Sequence, residues 1–155
     1  LAKDKNHVRL IKAFKDLLVQ KPEAHLWLVG TGPELRVLEQ LVAGLELEGR
    51  VHFKGHQVNP YLWLRYSDLF VLCSLSEGLP NALLEAIASG VPVISTVHPG
   101  GTKEIFENTG QLERLVESLD WEDWWFERPE EVVKTRLEDA HGLQKVVLQY
   151  QEVLG

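Results

Sequence analysis

Most side chains suited to chemistry fall in one stretch, Ser74-Leu75-Ser76-Glu77-Gly78-Leu79-Pro80-Asn81-Ala82-Leu83-Leu84-Glu85. Gly78-Leu79-Pro80 reads as a turn that leads into a helix, with Pro80 at the first helical position. The backbone amides of Asn81, Ala82 and Leu83 then have no intrahelical acceptor, and together with the helix dipole they form a socket for an anion. Glu85 lies about 7 Å further along the helix axis at 1.5 Å per residue. That is the span from a nucleotide's phosphate to its ribose, whose two vicinal hydroxyls one carboxylate can accept. Glu77 sits on the other side of the diphosphate position, where it can accept hydrogen bonds from a sugar. On residue types alone the alternative is plain: Glu77 is a loop surface charge and Glu85 a solvated helix residue.

Other candidate chemistries fail on spacing. Gly30-Thr31-Gly32 is half of a dinucleotide fingerprint, but Leu35 stands where the third glycine belongs. The acidic residue expected after a second strand is also missing, because Val51 to Phe53 runs into Lys54-Gly55. The segment reads as a tight strand-to-helix turn. No phosphate loop ending in Gly-Lys-Ser/Thr occurs. The six His and the single Cys show no ligand spacing, and no Asp-x-Asp pair occurs, so no metal or other cofactor is expected. His25 and His52 read as strand caps and Cys73 as a small buried hydrophobe. Ser74 and Ser76 flank no His, so a nucleophilic triad is not expected. Trp121, Trp124 and Trp125, with Phe126 beside them, read as a packing plug, or alternatively as a face that docks on another domain or rests at a membrane interface.

The elements that must position these residues follow from periodicity. Residues 6 to 20 carry apolar positions at helical spacing, with Asn6 as N-cap and Pro22 as the stop. Strands are expected at 25 to 29, 51 to 53, 69 to 73 and 92 to 96. Helices are expected from Pro33 to Leu45, Pro60 to Tyr66, Pro80 to Ser89 and near Thr102 to Phe106. LFVLC and PVIST are continuous apolar runs of the kind buried on both faces of a parallel sheet. Strands alternating with helices predict a doubly wound, Rossmann-like α/β domain with a parallel sheet. Its ligand edge is formed by the loops after residues 29, 53, 73 and 96. Beyond Gly110 the pattern reads as helical stretches broken at Pro129, then a final long helix over 130 to 154 interrupted near Gly142.

With 155 residues, 45% apolar and 25% charged, the chain is one domain able to bury a core. The net charge of -7 argues against a nucleic-acid partner. Residues 1 to 21 nevertheless carry +4 and residues 113 to 139 carry -6, so an anion is favoured near the first end. No apolar run is long enough to span a membrane, the opening LAKDKNHVRL lacks the apolar stretch and small-residue cleavage site of a secretory signal, and with a lone cysteine a reducing cytoplasm is expected. An opening without methionine that reads like the end of a turn suggests a piece of something longer.

Glu77 and Glu85, inside EGLPNALLEAIASGVPVIST, resemble the E-x7-E signature of the retaining glycosyltransferases of family 4, which have the GT-B architecture. The resemblance runs from Lys3 to about Phe106. It includes, in family order, KNHVRLIKAF at 5 to 14, LWLVGTGPE at 27 to 34, RVHFKGHQ at 50 to 57, SDLFVLCS at 67 to 74 and PGGTKEI at 99 to 105.

The resemblance implies one half of a GT-B fold, the donor-binding domain that holds a nucleotide-diphosphate sugar. By the family pattern Glu85 binds ribose and Glu77 contacts donor-sugar hydroxyls. Gly78, Leu79, Pro80, Asn81, Ala82 and Leu83 line sugar and phosphate, and Lys5, with Lys3 as runner-up, neutralises the diphosphate. Glu77 and Lys5 are the catalytic candidates. The base lies against the loop holding His56 and Val58, and Gly32 completes the donor edge. The family's first strand, its arginine and its acceptor domain are expected before Leu1. The glycine-rich strand and loop usual after Gly110 are replaced by QLERLVESLD, while GLQKVVLQYQEVL at 142 to 154 resembles the closing helix.

The implied reaction is retaining transfer of a hexosyl or N-acetylhexosaminyl group, from a UDP-sugar, to a saccharide or lipid-linked acceptor in polysaccharide biosynthesis. It needs no metal, and the full enzyme is expected in the cytoplasm or at the inner face of the membrane. This domain alone is expected to transfer nothing. The alternatives are a nucleotide-sugar epimerase of GT-B architecture and a non-catalytic nucleotide-binding module.

Overall fold

The computed structural model describes residues 1–119 and 146–150. Within them a 3-10 turn, Lys3–Lys5, leads into α1 (His7–Gln20), β1 (His25–Val29), α2 (Leu35–Gly44), β2 (Val51–Gly55), α3 (Pro60–Tyr66) and β3 (Leu69–Leu72). Then follow α4 (Asn81–Ala88), β4 (Val93–Thr96), α5 (Thr102–Thr109), a 3-10 turn at Leu112–Arg114, β5 (Leu115–Val116) and β6 (Val146–Tyr150). All pairings between these strands are parallel, in the order β2-β1-β6-β3-β4-β5.

The sheet separates two cores because alternate residues of a strand point to opposite faces. Leu26 and Leu28 of β1 and Val71 of β3 join Leu10, Ile11, Phe14 and Leu17 of α1 and Leu38 and Val42 of α2. Phe70 and Leu72 join Leu64 of α3, Ala82, Leu83 and Ala86 of α4, and Ile105 and Phe106 of α5 on the other face. Every residue of β3 and β4 is buried, which is why these strands read as unbroken apolar runs.

Helix starts differ from the sequence reading at two prolines. Pro33 lies in the turn before α2, which begins at Leu35, and Pro80 is the N-cap of α4 rather than its first residue. The C-terminal reading needs a larger correction. Leu115–Val116 is a strand beside β4, and Val146–Tyr150, inside the segment expected to close the domain as a helix, is a strand between β1 and β3. VVLQY combines β-branched and aromatic residues, and in that slot its backbone gains ladders on both sides, which outweighs a helical periodicity. The Trp121 to Phe126 cluster, the Pro129 break and the Gly142 interruption lie outside the described residues.

Phe70 is fully buried in the middle of the sheet. Phe70→Ala is expected to lower unfolding free energy by about 3–5 kcal/mol, read as a lower denaturant midpoint with an unchanged slope.

Candidate functional site

The site candidates are set by what holds two distant segments together at the carboxyl end of β3. Lys5 closes the first 3-10 turn, and Asn6 reverses the chain into α1 from a left-handed conformation (φ 54°, ψ 38°), one that asparagine tolerates better than most residues. The Asn6 carbonyl then accepts the amides of Arg9 and Leu10, starting the helix. This turn is stapled to the end of β3. The Leu75 amide donates to the Asp4 carbonyl at 2.7 Å, and the buried Cys73 Sγ lies 3.8 and 3.6 Å from the carbonyls of Lys5 and Asn6.

The staple brings Lys5 Nζ to 2.7 Å from Glu77 Oε1, across 72 residues of sequence. The same oxygen accepts the Ser74 hydroxyl at 2.6 Å. The pair is largely shielded, with side-chain exposures of 21% for Lys5 and 12% for Glu77.

The main chain of Glu77 is fixed from the other side by the loop after β4. Its amide donates to the Pro99 carbonyl at 3.1 Å, and the Gly101 amide donates to the Gly78 carbonyl at 3.0 Å. Gly100, at φ +125°, passes so close that a Cβ there would overlap the Glu77 carbonyl oxygen, and a Cβ on Gly101 would lie 2.9 Å from the Gly78 oxygen. The base of this loop is held by His98. Its Nδ1 lies 2.8 Å from the Thr96 carbonyl and its Nε2 2.8 Å from the buried Thr102 Oγ1. With Nδ1–H donating to the carbonyl, Nε2 accepts the hydroxyl.

The anion socket is smaller than the sequence reading made it. Because Pro80 caps α4 (ψ 84°), its carbonyl accepts the amides of Leu83 at 3.0 Å and Leu84 at 3.2 Å, and the Asn81 amide turns to the Leu79 carbonyl at 3.0 Å. Of the three amides expected to be free, only that of Ala82 takes no backbone acceptor among the described residues. The Ala82 and Leu83 side chains are buried in the core, so these residues can meet a ligand only through their main chain.

The other candidates keep their places at the same sheet edge. Gly78 and Leu79 are exposed on the loop, and Glu85 is half-buried on α4 with Oε2 shielded from solvent. Lys3 is exposed on the 3-10 turn. His56 and Val58 are exposed on the loop after β2, whose base is closed by the Gly30 amide donating to the Gly55 carbonyl at 2.7 Å. Gly32 packs against the Leu1 backbone so closely that any side chain would overlap it.

Sequence reasoning tested Ser74 only as a nucleophile and missed its bond to Glu77. A serine three residues before a carboxylate in a loop was the available signal. It took Gly100 and Gly101 as room for a ligand to approach the backbone, whereas the chain that approaches them is the main chain of Glu77 and Gly78. Among the described residues, no group of three or more His, Cys, Asp or Glu is placed to hold a metal ion.

The sequence model of the family described as glycosyl transferases group 1 matches residues 1–124. The chain belongs to that family.

Among curated relatives, this group 1 chain is 34% identical over 139 residues to the N-acetylgalactosamine-N,N'-diacetylbacillosaminyl-diphospho-undecaprenol 4-alpha-N-acetylgalactosaminyltransferase of Campylobacter jejuni. The match covers 90% of this chain and 36% of the relative. It is 33% identical to the N-acetyl-alpha-D-glucosaminyl L-malate synthase of Bacillus anthracis, over 93% of this chain and 40% of the relative. Among solved structures it resembles the pneumococcal O-GlcNAc transferase GtfA in complex with UDP and GlcNAc, with TM-score 0.63 and 25% identity, over 89% of this chain and 25% of that one. The chain thus spans well under half the length of these proteins. The likeness agrees with the Rossmann-like α/β fold of GT-B glycosyltransferases.

Two expectations follow for the site's frame. In Gly100→Ala the new Cβ and the unfavourable φ push the loop off Glu77, with an expected loss of roughly 1–3 kcal/mol of stability and separation of Lys5 from Glu77 in a crystal structure. His7, two residues after Lys5, is 2% exposed, and burial first, then the Leu1 amine and Lys5, push its pKa down to about 4. The folded state therefore resists a proton that the unfolded chain accepts below about 6.5. Stability is expected to fall as pH drops from about 6.5 to about 4, by on the order of 3 kcal/mol in total. Chemical denaturation of wild type and His7→Leu across that range checks it, because the leucine variant should lose this part of the slope.

Proposed function

We propose that this group 1 chain carries the nucleotide-sugar site of a retaining glycosyltransferase of family 4. The donor is a UDP-linked hexose or N-acetylhexosamine, and the acceptor a saccharide or lipid-linked oligosaccharide. The observation that carries the reading is the Lys5–Glu77 ion pair at the carboxyl end of β3, with Glu85 on the helix that follows. An open parallel sheet binds ligands at this edge. The relatives named for N-acetylhexosaminyl chemistry and the resemblance to a protein solved with UDP and GlcNAc favour the UDP-sugar.

In this reading the diphosphate lies by Lys5, Lys3 and the Ala82 amide, and Glu85 accepts the ribose hydroxyls. Glu77 accepts hydroxyls of the sugar, and the base rests on the loop of His56 and Val58. The departing diphosphate gains negative charge as the glycosidic bond breaks. An ammonium and a backbone donor beside the leaving group stabilise that charge more than they stabilise the bound donor, which lowers the barrier. Lys5 supplies the positive charge, so the reading requires no metal ion. Retention follows from acceptor attack on the face the diphosphate leaves, and Glu77 is not a nucleophile. Among the described residues no helix is long and apolar enough to cross a membrane. The lipid-linked acceptor proposed for the whole protein would bring it to the cytoplasmic face of the membrane.

Calorimetric titration with UDP, GDP and ADP tests the site. UDP is expected to bind most tightly, and Glu85→Ala to weaken it by roughly tenfold to a hundredfold, the value of hydrogen bonds to a charged group. Lys5→Met is expected to weaken UDP while leaving uridine unchanged. A folded protein that binds none of the three nucleotides would overturn the reading. Interconversion of UDP-sugars without any acceptor would instead support an epimerase.

A further inference from the structure

Ser74 is 2% exposed, and its hydroxyl lies 2.6 Å from Glu77 Oε1, the oxygen that also receives Lys5 at 2.7 Å. An ionised carboxylate only accepts hydrogen bonds, so Ser74 is the donor. The two donors differ in freedom. Lys5 is a long side chain from a turn far away in sequence, and a diphosphate competes with Glu77 for its ammonium. Ser74 lies buried two residues past the end of β3, three residues before Glu77, and cannot follow a ligand. The backbone of Glu77 is already fixed at Pro99 and Gly100, which leaves the carboxylate's own torsions as its remaining freedom.

We propose that Ser74 is a positioning residue for Glu77. When donor binding draws Lys5 to the diphosphate, the Ser74 hydroxyl keeps Oε1 anchored and so presents Oε2 to a hydroxyl of the sugar. The inference rests on the nucleotide-sugar reading above and adds to it a division of labour. Lys5 is shared between Glu77 and the diphosphate, whereas Ser74 serves Oε1 of Glu77 alone. It also separates two affinities. Ser74 bears on recognition of the sugar and leaves recognition of the nucleotide alone.

Calorimetric titration of the purified protein with UDP and with UDP-N-acetylglucosamine, in wild type, Ser74→Ala, Ser74→Thr and Glu77→Gln, tests this. Ser74→Ala is expected to weaken UDP-N-acetylglucosamine by roughly tenfold, the low end for a hydrogen bond to a charged group. UDP should be unchanged, which also reports that the variant is folded. Ser74→Thr, which keeps the hydroxyl, should retain the wild-type ratio of the two affinities, and Glu77→Gln should lose it as Ser74→Ala does. An equal loss of both ligands in Ser74→Ala would show general support of the fold and overturn the proposal, as would an unaltered ratio. In either case wild-type UDP binding leaves the nucleotide-sugar reading standing. A wild type that binds neither ligand overturns that reading and the Ser74 proposal with it.

Discussion

A single oxygen, Glu77 Oε1, is where the structure converges. It receives an ammonium from the turn before α1 and a hydroxyl from the end of β3, while its own main chain is clamped by the loop after β4. A partly exposed ion pair contributes little net stability, since Coulomb attraction is offset by desolvation and side-chain ordering. The pair therefore does not hold the loops in place. The loops hold the pair, through backbone bonds such as Leu75 to Asp4 and Gly101 to Gly78, and these rest on two buried strands. Gly100 shows how tight the arrangement is, because the strand-like contact with Glu77 leaves no room for a methyl group.

This arrangement has an electrostatic consequence. A cation and an anion satisfy each other at 2.7 Å, so neither is stranded in a half-buried position. A ligand carrying negative charge at one end and hydroxyls at the other offers each a replacement partner, the charge for Lys5 and the hydroxyls for Glu77. A ligand with only one of these ends would leave one member of the pair half-buried without its counter-charge, which is costly. The pair thus favours a bifunctional ligand before any specific contact to base or sugar is counted.

The sheet and most helices were legible because their signals are local. LFVLC and PVIST could hardly be anything but two-faced strands, and Pro60 to Tyr66 forms the helix its residues predict. Proline misplaced the starts of α2 and α4: Pro80 is an N-cap, a position its fixed φ suits as well as the first helical one, and Pro33 lies one residue before the Glu34 N-cap. At Pro80 that one-residue difference reassigned two of three amides from a ligand to carbonyls of the chain itself, Asn81 to Leu79 and Leu83 to Pro80. Residues 146–150 were not legible, because a slot between two strands is a tertiary property that no periodicity within VVLQY reveals. The approach of Lys5 to Glu77 was likewise invisible in composition. It entered through a family resemblance and a basic N-terminal segment, and neither specifies an ion pair between the two candidates.

The sheet order explains why the site lies where it does. A doubly wound sheet of order 3-2-1-4-5-6 has its switch point between the strands called 1 and 4, where successive crossovers leave to opposite faces and open a crevice. With β6 in the place of strand 1, the observed order β2-β1-β6-β3-β4-β5 is the same pattern, and the switch point falls between β6 and β3. Cys73, Ser74 and Glu77 follow β3 directly, and the turn that carries Lys5 is stapled to that same strand end. The strand that fills the central slot comes from the far end of the described sequence, yet the candidate residues remain at the crevice. Position in the sheet, rather than order along the chain, is what places a lysine and a glutamate where a ligand can reach both.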